Sequence, residues 1–250
     1  MSAFPYVSTR RVFDYSEAVH KQLLEDQLLV GDVILTSDPT SVLRPVVAYQ
    51  NRFDSFPAAS RKFTHVALYV GAGKIIHSMP HLGGSTLLAG GVAEAPLSDL
   101  LPDGTTFTVL RCPVLTSDLR EKLIEAAESH IGIPYDYSSI MKCVAACSLK
   151  YTPAKIRKLM EFAERTKDVL LPSSPPNPVD YARALVCSDF VFSVFDELLQ
   201  QNNPCNYMGG NPAPITMPCA FYANPNFQDI DITGTSIDLG GDANAPVAGE

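Results

Sequence analysis

Three residues could do nucleophilic chemistry together. Cys187 stands in "RALVCSDFVFSVFDELL", where Phe190, Val191, Val194, Phe195 and Leu198 recur at helical spacing behind it. His65 and His77 stand in "FTHVALYVGAGKIIHS". A thiol becomes a good nucleophile when a base takes its proton, and an imidazole base needs a partner on its second ring nitrogen to fix tautomer and angle. A helix start at Cys187 would favour the thiolate further. Taken singly, each residue is unremarkable: buried cysteines are commonly inert, and a strand histidine is commonly just a hydrogen-bonded polar group. The chemistry depends on whether the three converge.

The hairpin spacing argues that two of them do. In a strand, His65, Ala67 and Tyr69 point one way, and Val66, Leu68 and Val70 the other. A two-residue loop would put His77 on the face opposite His65; a three-residue loop at Gly71-Ala72-Gly73, favoured by its two glycines, would pair Val70 with Lys74 and Ala67 with His77. His65 would then lie diagonal to His77 on one face, about 7–8 Å away at the backbone and within reach of its ring.

Other elements must carry this set. A first helix is expected over about Ser16 to Leu28, with Val19, Leu23 and Leu24 on one side. Gly31-Asp32 turns into the strand "VILTS"; "FTHVALYV", "KIIHS" and "TFTVLRC" are further strands. "GGSTLLAGGVAEAPLSDLL" reads as a loop. "SDLREKLIEAAESHIG" reads as a helix with Leu119, Leu123, Ala127 and Ile131 on its apolar face, ended by Gly132 and Pro134. A second helical stretch begins with Thr152 as cap and Pro153 at its first position. Short strands with helices gathered around them imply an α+β architecture. The expected organisation is one domain over 1–230, with a helical insertion at 138–180 and a flexible tail at 231–250.

Composition excludes several classes. With 46% hydrophobic and 18% charged residues the chain is globular. A net charge of −8 and the lack of a Lys/Arg-rich run speak against nucleic acid as a partner. The first residues lack the apolar core of a signal peptide, and no apolar run is long enough to span a bilayer. Cytosolic synthesis and free thiols are therefore expected for the six cysteines. Cys143 and Cys147 lie one helical turn apart, without zinc-knuckle spacing or a second pair nearby, so no metal or cofactor is expected. "GAGK" lacks the upstream glycine and the Ser/Thr of a P-loop, there is no G-x-S-x-G elbow, and "DGTTF" reads as a turn. His20, His81 and His130 receive no functional reading.

The motifs "LLVGDVIL", "THVALYVGAGKIIHS", "IGIPYDY" and "VCSDFVF" resemble the NlpC-type papain-like cysteine peptidases, with the histidine half ahead of the cysteine half. That order resembles the circularly permuted branch, which includes YiiX-like hydrolases and the lecithin retinol acyltransferase family. The resemblance spans roughly residues 28–80, 117–137 and 183–225. It implies a permuted papain-like fold: an antiparallel sheet, or half-barrel, packed against the nucleophile helix. It implies Cys187 as nucleophile, His65 as base and His77 as orienter, with Tyr135 supporting the site and Asp32 in a structural Gly-Asp position. Tyr135 and Cys187 are separated by more chain than in the NlpC-type enzymes, which is what marks 138–180 as an insertion.

The expected activity is hydrolysis of an amide or acyl bond through an acyl-enzyme. A peptidoglycan amidase or endopeptidase leads, acting on cell-wall peptide. Without a signal peptide, such a protein would reach a wall by a specialised secretion system, as an antibacterial effector with an immunity or export partner. The alternatives are a lipid or thioester acyl hydrolase or acyltransferase, and an inactive papain-like domain used for binding.

Overall fold

A computed structural model describes residues 10–15, 26–37, 44–51, 56–80, 90–136, 139, 184–200, 217–230 and 232. Its elements in chain order are β1 (Phe13–Asp14), β2 (Val33–Ser37), α1 (Arg44–Gln50), a 3-10 turn (Ala58–Lys62), β3 (His65–Gly71), β4 (Lys74–Met79), β5 (Gly91–Pro96), α2 (Leu97–Leu100), β6 (Thr106–Arg111), α3 (Ser117–Ser129), α4 (Cys187–Leu199), α5 (Pro218–Ala223) and β7 (Gln228–Asp229). The expected insertion at 138–180 (Ser139 apart), nearly all of the first helix, the tail from 233, and His20, His81, Cys143, Cys147 and Cys205 lie outside the described residues.

The strands form one open antiparallel sheet in the order β1-β6-β2-β3-β4-β5, with β7 beside β6. The architecture is α+β. Both faces of the sheet are covered, which is why "VILT" and "HVAL" are apolar almost without interruption. One face buries Val33, Leu35, Val66, Leu68, Ile76 and Leu110 under α3, α4 and α5. The other buries Ile34, Ala67, Tyr69, Ile75, Phe107 and Val109 with Tyr15, Leu97, Leu100 and Ile232. On α4, Phe190, Val191, Val194 and Phe195 are fully buried, each contributing roughly 1.5–3 kcal/mol; Leu198 packs at the margin.

Three expectations change. The hairpin turn has two residues, Ala72 and Gly73 (φ 51° and 68°), between the paired Gly71 and Lys74. The extra residue, Val70, is a bulge between Tyr69↔Ile75 and Gly71↔Lys74, so the register around the histidines is the expected one although the loop is not. The Gly-rich "loop" contains β5 and α2, because Gly91–Pro96 completes the edge of β4. Ile131 is exposed, since α3 stops at Ser129 and the chain turns away at Gly132 (φ 90°). "PCAFYA", on which the sequence carried no expectation, is a buried helix.

Candidate active site

The histidines meet. His65 opens β3 opposite Thr36 of β2, and His77 lies in β4 opposite Ala93 of β5. His65 Nε2 is 3.0 Å from His77 Nδ1, with ring centroids 5.1 Å apart at 72°. Both rings are buried, and His65 Nδ1 has no hydrogen-bond partner. Burial, with His77 adding to it, holds His65 well below the usual imidazole range. Burial lowers His77 to about 4, against the opposing pull of Asp99. At neutral pH the pair is uncharged, so one nitrogen of the 3.0 Å contact donates and the other accepts.

The thiol arrives at the end of the sheet. α4 packs on the face of Val66, Leu68 and Ile76, whereas strand alternation sends His65 and His77 to the other face. What joins the two sides is a gap. The β3–β4 ladder stops at Leu68↔Ile76, and from His77 onward β4 continues paired with β5. Tyr69 N–H donates to Asp32 of β2, so by alternation the Val66 N–H faces the β4 side. There it donates to the Cys187 sulfur instead of to a β4 carbonyl. The sulfur thus lies against the peptide group that follows His65.

Cys187 is itself buried, and burial pushes its thiol up to about 11. The Val66 N–H and Ser188, through its amide and hydroxyl, pull the other way; the Asp189 carboxylate in the first turn of α4 adds to the rise. Burial thus favours the neutral form of the thiol as it does of both imidazoles.

Tyr135 is drawn in from the far side. It is buried and bridges in parallel to Leu185, two residues ahead of Cys187, while its N–H donates to Gly90. Leu185 N–H donates to Pro134, and Leu185 C=O accepts from Asp136 N–H and from the Ser78 hydroxyl (2.7 Å). Gly91 permits this approach: a Cβ there would stand 2.3 Å from the Ile133 carbonyl oxygen.

Asp32 is elsewhere. It precedes β2 at the end away from Thr36, roughly 13 Å along the strand from the partner of His65. It is fully buried in a two-pronged pair with Arg111 (2.8 and 2.6 Å) and accepts from Leu29 N–H. Burial nevertheless raises its carboxyl above the usual value, outweighing Arg111. Gly31 beside it has φ 88°, with Leu115 Cδ1 only 2.6 Å from where a Cβ would be. The Gly-Asp pair therefore anchors a corner of the fold.

Two contributors escaped the sequence reading. Ser78 carried a signal: a serine occupies the position after Ile76 on the apolar face of β4. The Val66 N–H, being main chain, carried none. Cys112 and Cys219 are free and buried. Among the described residues, no group of three or more His, Cys, Asp or Glu side chains is placed to hold a metal ion, and no helix is long and apolar enough to cross a membrane.

No family model matches the chain, and no curated protein matches it. Among solved structures it is similar to one described as the crystal structure of metalloprotein yiiX from Escherichia coli O157:H7, DUF1105, at 16% identity and a TM-score of 0.45, over 82% of this chain and 97% of that one.

Proposed function

We propose that the chain is a cysteine hydrolase of an amide or acyl bond, with Cys187 as nucleophile, His65 as base and His77 as orienter. One observation carries this reading. His65 Nδ1 is buried without a partner, while its Nε2 is held by His77 and the Cys187 sulfur abuts the next peptide group. An unpartnered buried ring nitrogen is costly, and a thiol proton is what it can accept.

The tautomer follows. His65 Nε2–H donates to His77 Nδ1, leaving Nδ1 as acceptor. The Cys187 proton passes to Nδ1 as the sulfur attacks a carbonyl carbon, and the Cys187 main-chain N–H receives the oxyanion. Collapse returns the proton to the leaving group and leaves a thioester. Water, deprotonated by the same nitrogen, then attacks the thioester carbonyl; the C–S bond breaks, the acid leaves and the proton returns to the Cys187 sulfur. Because the resting pair is neutral, proton transfer belongs to the attack itself and is not completed beforehand.

The proposed substrate is cell-wall peptide, as in the NlpC-type enzymes whose motifs the chain resembles. The matching setting is cytosolic synthesis followed by delivery through a specialised secretion system. Wild type, Cys187→Ala and His65→Ala would be incubated with purified peptidoglycan and, separately, with phospholipid vesicles, and the products identified by mass spectrometry. New peptide termini from wild type alone are expected. Fatty acid released by wild type alone would replace the substrate class with a lipid acyl group. Products undiminished in Cys187→Ala would overturn the mechanism.

A further inference from the structure

His77 and Ser78 are consecutive in β4, and they serve opposite sides of the sheet. His77 turns to His65. Ser78 is fully buried on the α4 side, where its neighbour Ile76 belongs to the apolar core. A hydroxyl in such a place is costly unless it is hydrogen-bonded. Its partner is far along the chain: the Leu185 carbonyl, at 2.7 Å. Leu185 precedes Val186, the residue that caps α4, and Val186 makes no side-chain cap bond. The start of α4 is therefore located by what holds Leu185. Among the described residues, that carbonyl otherwise receives a long bond from Asp136 N–H (3.4 Å), while Leu185 N–H donates to Pro134.

We propose that Ser78 is a positioning residue for Cys187: by holding the Leu185 carbonyl, its hydroxyl fixes how deeply the start of α4 enters the gap between β3 and β4. One turn of strand thus aligns both halves of the site, the base through His77 and the nucleophile through Ser78. The proposal rests on the reading of Cys187 as the nucleophile.

The test is alkylation of the full chain by iodoacetamide across pH, followed residue by residue by peptide mass spectrometry, for wild type, Ser78→Ala, Ser78→Thr and Ser78→Cys. In Ser78→Ala the Cys187 rate should fall about tenfold or more, a small displacement being enough for that. Its rise with pH should move upward, as the sulfur loses the Val66 N–H. Buried Cys112 and Cys219 should stay protected, reporting an intact core. Ser78→Thr, which keeps the hydroxyl, should recover most of the rate. On a substrate, Ser78→Ala should lower kcat and leave KM unchanged.

An unaltered Cys187 rate and pH profile in Ser78→Ala would overturn the proposal. If Cys112 and Cys219 become reactive in that variant, the core has opened. Ser78→Cys, near in size but a weak donor, then decides by the same criterion. If wild-type Cys187 reacts no faster than the buried Cys112 and Cys219, the nucleophile reading itself fails, and this inference with it. A fast Cys187 indifferent to Ser78 defeats the inference alone.

Discussion

His77 Nδ1 stands 3.0 Å from His65 Nε2, and the far nitrogen of His65 is left buried without a partner. The contact ties one nitrogen of each ring to the other and leaves His65 Nδ1 the nitrogen that the proposed mechanism uses as base.

Removing either ring should therefore act on rate. His65→Ala is expected to lower kcat by about 10²–10⁴-fold, the range of a positioned general base. His77→Ala should cost about 10²-fold, because His65 remains but its angle and tautomer are free. Steady-state assays on the substrate found with peptidoglycan or vesicles would measure both, with near-ultraviolet circular dichroism confirming the fold.

The thiol should be protonated at rest. With Cys187 raised to about 11, the 240 nm absorbance difference between wild type and Cys187→Ala should be absent at pH 7 and grow toward pH 11. A thiolate signal at pH 7 would instead indicate a preformed thiolate–imidazolium pair.

The histidines should make the fold acid-sensitive. A folded value of about 4 for His77, against 6.5 unfolded, means that below pH 6.5 the unfolded chain takes up a proton that the native one refuses. Stability should be unaffected by this group above pH 6.5, fall between pH 6.5 and 4, and level off below, by about 3 kcal/mol in all. Urea midpoints at pH 7 and pH 4.5 would show a smaller difference in His77→Gln than in wild type.

Arg111 should matter for stability and not for chemistry. Arg111→Ala leaves the buried Asp32 carboxylate without its ion pair, a loss of about 3–5 kcal/mol. Since Asp32 sits at the other end of β2 from the partner of His65, the Cys187 alkylation rate of the folded protein should stay at the wild-type level.

Much of this was legible in the sequence for physical reasons. β2, β3, β4 and β6 were marked by dense apolar and β-branched runs, and α4 by a stripe of large apolar residues. The two histidines could be placed together because a hairpin ties their register locally. β5 was not legible: "GVAEAP" offers one β-branched residue, and it is a strand because β4 has an edge to complete. α5 is too short to show a helical period. The thiol's position at Val66 could not be read either, since it depends on where one ladder ends and on long-range ties at Leu185.

The gap between β3 and β4 sets sheet regularity against reactivity. Carried two residues past Leu68↔Ile76, the register would put Val66 opposite Ser78 and give its N–H a carbonyl. Such a substitution-driven zippering would make a better-paired sheet and a more robust fold, and it would evict the sulfur. Selection for stability alone should then drift toward closing the gap. On the proposed reading, the unfinished ladder is the room that the nucleophile occupies.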